Sequence, residues 1–123
     1  MKKKQLLERY IGYYPNLYIV MLAMFWWMTG ELTETDRNTV LTEVGYTYNS
    51  TDKTVTDGTT TYTMYQLLDN CVTNIYPTSD VIDYDMMTGI IDVVYNKGYI
   101  TADQVTTLKG KVTKWSSNTS LYF

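Results

Sequence analysis

Along most of this chain, apolar side chains recur at the three- and four-residue spacing of a helix; one Thr- and Tyr-rich stretch breaks the pattern. Leu6, Leu7, Tyr10, Ile11 and Tyr14 mark a first helix that ends near Pro15, and a proline suits the opening turn of the next. In that second helix Leu17, Val20, Met21, Met24, Phe25 and Met28 form one stripe, while Tyr18, Leu22 and Trp26 cover another face. A helix apolar all round belongs at the centre of a core or in a subunit interface. Thr29-Gly30 closes it. Thr33, with Asp36 three residues later, has the form of a capping box and opens a third helix. Its buried face is Arg37, Val40, Leu41 and Val44, with Arg37 expected to contribute mainly its stem.

Residues 45–62 read GYTYNSTDKTVTDGTTTY, and Asp57-Gly58 is the strongest hairpin signal in the chain. The pattern predicts a β-hairpin with Lys53 to Thr56 and Thr59 to Tyr62 as the strands nearest the turn, extended by Tyr46 and Tyr48. An isolated hairpin is marginal, so this one must lean on the helices or on a partner. Thr63 and Gln66 then cap a fourth helix whose stripe is Met64, Leu67, Leu68, Cys71, Val72 and Ile75, with Pro77 as its end. Asp80 and Asp83 suit the start of a fifth helix through Ile82, Met86, Ile90 and Val93 to about Lys97, closed by Gly98. Thr101 and Gln104 cap a sixth, with Val105, Leu108, Val112 and Trp115 at helical spacing.

The chain reads twice as helix, Tyr-Pro, helix, Gly-x-Leu/Ile-Thr, helix. Tyr14-Pro15 corresponds to Tyr76-Pro77, and Gly30-Glu31-Leu32-Thr33 to Gly98-Tyr99-Ile100-Thr101. In such a tetrapeptide the glycine supplies a left-handed C-cap, the Leu or Ile packs back under the turn, and the Thr caps the following helix. Any helical hairpin can arrive at these residues independently, so duplication is one of two explanations. The expected fold is mainly α: a six-helix bundle-like single domain over 1–123, of two tandem three-helix halves with one β-hairpin insert. The candidate repeats are 5–44 and 63–115, joined by the hairpin at 45–62, with a tail at 116–123.

Composition narrows the chemistry. There is no His, which removes the commonest general base and the commonest zinc ligand together. The single Cys, Cys71, cannot form an internal disulfide, and its place on an apolar stripe suits a buried thiol better than a nucleophile. Asp80, Asp83, Asp85 and Asp92 are the densest acidic group, but the glycine and closing glutamate of a calcium loop are missing; acids at a helix N-terminus are the simpler account. No catalytic, cofactor-binding or metal residues are therefore assigned, and the chain is expected not to be an enzyme.

The net charge of −3 argues against a general nucleic-acid binder, although Lys2, Lys3 and Lys4 form one basic end and Lys109, Lys111 and Lys114 a second. The helix after Thr101 is the better candidate for a DNA-reading helix, yet it brings few base-reading side chains. No residue from Tyr10 to Gly30 is charged, but the continuous apolar run, Leu17 to Met28, is twelve residues, too short to span a bilayer of about 30 Å as a helix, and Pro15-Asn16 interrupts its extension. Met28-Thr29-Gly30 is also a poor signal-cleavage site. A buried central helix, with no membrane partner, is the expectation. The unusual feature is aromatic: 13 Tyr and 3 Trp, residues suited to half-buried positions and partner surfaces.

VVYNKGYITADQVTTLKGKV, residues 93–112, resembles short helical-hairpin modules of the SHOCT type: an apolar helix, Gly-x-Ile-Thr and a second helix. Asp103 fits the acidic residues found after the Thr in such modules, while Val105 replaces their aromatic. The short Thr-, Tyr- and Asn-rich chain with its charged start also resembles small virion proteins of tailed bacteriophages. The resemblance implies a non-enzymatic structural or assembly role in a phage head, neck or tail, located in the virion or in host cytoplasm during assembly. It also implies homo- or hetero-oligomeric contacts with other protein subunits. The residues expected to make them are Tyr46, Tyr48 and Tyr62 of the hairpin and Leu121, Tyr122 and Phe123 at the end; folding of both segments back onto the core is the competing expectation. The alternative functions are a host-takeover or anti-defence binding protein and, third, a weak DNA-binding helical protein.

Overall fold

The computed structural model describes residues 2–78 and 82–112. It is mainly α, with six helices and one small antiparallel sheet: α1 (Lys3–Tyr10), α2 (Asn16–Met28), α3 (Glu34–Glu43), β1 (Thr47–Asn49), β2 (Thr54–Thr56), β3 (Thr61–Thr63), α4 (Met64–Asn70), α5 (Tyr84–Asn96) and α6 (Ala102–Lys111). The tail at 116–123, Trp115 and Asp80 lie outside the described residues.

Helix α2 runs through the middle of the core. Tyr18 to Met24, Trp26 and Met28 are all buried, and the helix touches α1, α3, α4 and α5. Its hydrophobicity all round is thus matched by neighbours all round. No helix among the described residues is long and apolar enough to cross a membrane.

Both Gly-x-Leu/Ile-Thr turns form as their residues dictate. Gly30 has φ +83°, the Gly30 amide donates to the Trp27 carbonyl at 3.1 Å, and the Glu31 amide donates to that of Trp26 at 2.8 Å. At the other turn Gly98 has φ +86°, and the Gly98 and Tyr99 amides donate to the Tyr95 and Val94 carbonyls at 2.9 and 3.1 Å. Each pair is the double closure of a Schellman motif. Leu32 and Ile100 are buried beneath the turns, and the Thr33 and Thr101 hydroxyls accept the Asp36 and Gln104 amides. The sequence reading missed a third copy of the closure. Gly45, at φ +84°, ends α3 with its amide on Thr42 and the Tyr46 amide on Leu41.

The predicted hairpin is a three-stranded meander ordered β1-β2-β3. An additional turn precedes β2: the Asn49 side-chain oxygen accepts the Thr51 and Asp52 amides at 2.9 and 3.0 Å, and Lys53 enters the left-handed region at φ 57°. The Asp57-Gly58 connection is also longer than a two-residue turn. Thr59 and Thr60 belong to the loop because their amides both donate to the Asp57 carboxylate, at 2.9 and 2.8 Å. Those two bonds hold the Asp57 carboxyl below its usual pKa. Tyr48, Val55 and Tyr62 pair across the sheet on its inner face, whereas Thr47, Thr56 and Thr61, with Asn49, Thr54 and Thr63, make the outer one.

Beyond α4 the chain widens into a π-helical turn, Cys71–Ile75, then tightens into a 3-10 turn, Tyr76–Thr78, containing Pro77. In an α-helix a residue five positions on lies about 140° around the axis. The i→i+5 bond from the Tyr76 amide to the Cys71 carbonyl brings both residues to the same side, and both are fully buried. Asp83 caps α5, accepting the Met86 amide at 2.8 Å, and Asp85 lies in its first turn. Asp92 pairs instead with Lys109 at 2.7 Å, and Lys111 pairs with Asp69 of α4 at 2.6 Å. These two bridges tie α6 across α5 and α4.

Candidate functional site

The hairpin tyrosines look inward. Tyr46 is buried, at 8% exposure, and Tyr48 and Tyr62 are half-buried against the helices. Burial raises the phenol pKa of both Tyr46 and Tyr48. Leu121, Tyr122 and Phe123 lie outside the described residues.

Tyr48 instead helps to build a cation–aromatic cluster that joins distant parts of the chain. Arg37, on α3, is only 4% exposed, so its guanidinium as well as its stem is buried, where mainly the stem was expected. The guanidinium carbon lies 4.3 Å from the Trp27 ring centroid and 4.7 Å from that of Tyr48; the two rings are 5.7 Å apart. Its Nε and Nη2 donate to the Asn38 side-chain oxygen at 3.3 and 2.9 Å, and Nη2 lies 3.8 Å from the largely exposed Glu34 carboxylate. Burial lowers the Arg37 pKa, opposed by Glu34. The planar, weakly hydrated guanidinium tolerates this environment, where an ammonium would not.

The cluster continues into the turn between α5 and α6. The Tyr99 phenol adds to burial in raising the Tyr48 pKa, and the Lys53 ammonium sits 5.0 Å from the Tyr99 ring centroid. Trp27, Met28, Lys97 and Tyr99 line a small open pocket of about 250 Å³ beside it. The five contributing segments are spread over 72 positions, from Trp27 to Tyr99, which is why spacing could not reveal the site. The one local signal is an Arg on the otherwise apolar stripe of Val40, Leu41 and Val44.

A second feature lies at the turn between α1 and α2. Ile11 (φ −61°, ψ 129°) followed by Gly12 (φ +91°) forms a type II turn, closed by the Tyr13 amide on the Tyr10 carbonyl at 3.0 Å. Tyr13 closes it and is 84% exposed. Alongside, Tyr10 meets Tyr14 edge to face at 5.2 Å and Tyr14 meets the buried Tyr18 at 5.9 Å, a series of ring contacts leading into the core. The sequence pattern counted Tyr10 and Tyr14 as helix stripe and passed over Tyr13. Its signal was a Tyr beside a turn glycine, between two other tyrosines.

The remaining candidates are occupied by structural roles. Cys71 is completely buried, its thiol donates to the Leu17 carbonyl at 3.6 Å, and burial raises its pKa strongly. Among the described residues no three His, Cys, Asp or Glu side chains converge as a metal cluster would require. At the first basic end, Lys3 reaches Glu31 at 3.7 Å and the Trp26 ring at 4.8 Å, and Lys4 reaches Glu8 at 3.8 Å. At the second, Lys109 and Lys111 face Asp92 and Asp69 as described above, which cancels much of the charge that α6 would offer a phosphate backbone. No family model matches the chain, and comparison with curated proteins and with solved structures likewise gives no match.

Proposed function

We propose that this chain is a non-enzymatic assembly subunit that binds other protein subunits, in the setting of a phage virion. The observation that carries the reading is Tyr13. A wide aromatic ring held out on a hydrogen-bonded turn, next to the Tyr10–Tyr14–Tyr18 series of ring contacts that leads into the core, is a contact anchor on an ordered backbone. Exposed single apolar residues are ordinary, but here half-buried Tyr10, Ile11 and Tyr14 surround the exposed one, so the turn offers a patch. Such rigid aromatics are enriched among the residues that dominate interface energies.

In the same reading the six helices are two tandem three-helix halves in a bundle-like arrangement, with α2 at the centre and the sheet joining the halves. The matched Schellman closures at Gly30 and Gly98 support it. The stiff core then serves as a platform for the contact patch.

The test is native mass spectrometry and sedimentation of the full chain, with its detection in purified particles. Oligomers, or incorporation into particles, that Tyr13→Ser weakens about tenfold without lowering thermal stability are the expected result. A monomer at tens of micromolar that is absent from particles overturns the proposal.

A further inference from the structure

The pocket beside Arg37 has an unusual balance of charge. Lys97 lines it, Lys53 sits over the Tyr99 ring of its wall, and the buried Arg37 lies against its Trp27 wall, paired with the exposed Glu34. That is a local excess of about two positive charges on a chain whose net charge is −3. Lysines elsewhere on the chain are already paired: Lys3 with Glu31, Lys109 with Asp92 and Lys111 with Asp69. Lys53 and Lys97 form no ion pair among the described residues, and Lys53 rests on an aromatic ring instead.

Size restricts the occupant. About 250 Å³ is smaller than the roughly 300–1,000 Å³ of small-molecule and cofactor pockets, and it suits a single side chain. The Trp27 and Tyr99 rings and the Met28 side chain would pack the methylenes of such a group, while Lys97 and Lys53 meet its charge. The Trp27 ring is backed by the buried guanidinium of Arg37 and by the Tyr48 ring, 5.7 Å away. Little ordering cost would remain to be met on binding.

We infer that this pocket is a socket for a glutamate side chain presented by an acidic segment of a partner protein. The inference rests on the assembly reading and adds to it the chemistry of one contact. A cation pair around a small aromatic pocket steers an acidic partner into register and rejects a basic one.

The experiment is a titration of the full ¹⁵N-labelled chain with a short glycine–glutamate peptide, followed at the Trp27 indole and the Lys97 and Tyr99 amides. Saturable shifts at these three groups are expected, weakened at least fivefold when glutamine replaces glutamate in the peptide. Lys53→Gln and Lys97→Gln are each expected to weaken binding about threefold, and the pair about tenfold. Both side chains are exposed, so unchanged melting of the variants will show that the fold is intact. Shifts equal for the glutamine peptide, shifts confined to Lys2–Lys4, or binding unchanged in the double variant would each overturn the socket. An unresponsive pocket in a chain that still assembles through Tyr13 rejects the socket and leaves the assembly reading standing. Glutamate-selective shifts in a chain that never assembles do the reverse.

Discussion

The same substitution, Gly→Ala, should have opposite signs at two sets of positions in this protein. At Gly30, Gly45 and Gly98 the backbone φ is +83°, +84° and +86°, each at a helix C-terminus; Gly89, inside α5, carries no positive φ. A Cβ added at any of the four meets nothing within 4 Å, so steric crowding by neighbours cannot distinguish them. Only the backbone conformation differs. An L-residue forced into the left-handed region costs about 1–2 kcal/mol. Alanine in place of a helical glycine gains about 0.5–1 kcal/mol, because the unfolded chain has less freedom to lose. Gly30→Ala and Gly89→Ala should therefore differ by about 1.5–3 kcal/mol in unfolding free energy. For a chain of 123 residues each kcal/mol moves the midpoint by about 3–6 °C. The two variants should consequently bracket the parent in thermal scans and in urea unfolding, with unchanged urea m-values. If both move the midpoint in the same direction, the assignment of these glycines to Schellman closures is wrong.

Three further outcomes follow from the core. Arg37→Met keeps the stem but loses the guanidinium between Trp27 and Tyr48, and should cost about 1–3 kcal/mol in urea unfolding; Arg37→Lys should not restore it, since an ammonium cannot lie flat between rings. The phenols of Tyr46, Tyr48 and Tyr76 are all raised by burial, so the folded chain keeps protons that the unfolded chain releases above about pH 10. Their contribution is fully present below that pH and is lost above it, by about 1.4 kcal/mol per pH unit for each phenol still protonated in the native state. Flat stability between about pH 10 and 11.5, with all the tyrosines ionising in the folded protein by ultraviolet titration, would contradict it. Cys71 should resist iodoacetamide in the native state and react at the rate of unfolding in urea; rapid native labelling would mean that the core around Leu17 opens.

Local chemistry made most of the helical framework legible. Thr33, Thr63 and Thr101 each stand three residues before a residue whose amide they bond, and two of the three receive a glutamine in return. That information lies within four consecutive positions, and a glycine closure within six. What escaped was set by competition between neighbours or by distance. Asp57-Gly58 looks like a two-residue turn, but its carboxylate captures the two threonine amides that would have extended β3. Asn49 makes a turn in mid-stretch for the same reason, converting two expected strands into three. The π-helical turn is invisible to a 3.6-residue period, since its bond joins residues five apart, the buried Cys71 and Tyr76.

The Arg37 cluster shows the other kind of loss. Nothing near position 37 specifies a ring partner; Trp27 precedes it by ten residues, Tyr48 follows by eleven and Tyr99 by sixty-two. Those rings converge only because the glycine turns at Gly30, Gly45 and Gly98 redirect the chain after α2, α3 and α5. Two of those three turns, at Gly30 and Gly98, were legible in the sequence, so local signals help to assemble a site that they do not themselves reveal. A backbone change at Gly98, remote in sequence from Arg37, should accordingly disturb the Trp27 environment as well as the stability. Gly98→Ala should shift the Trp27 indole resonance and lower glutamate-peptide binding, whereas the equally costly Gly12→Ala, at φ +91° in the Tyr13 turn, should leave both unchanged. Equal effects of the two on the indole would mean that the pocket is coupled to global stability alone and owes nothing to the α5–α6 turn.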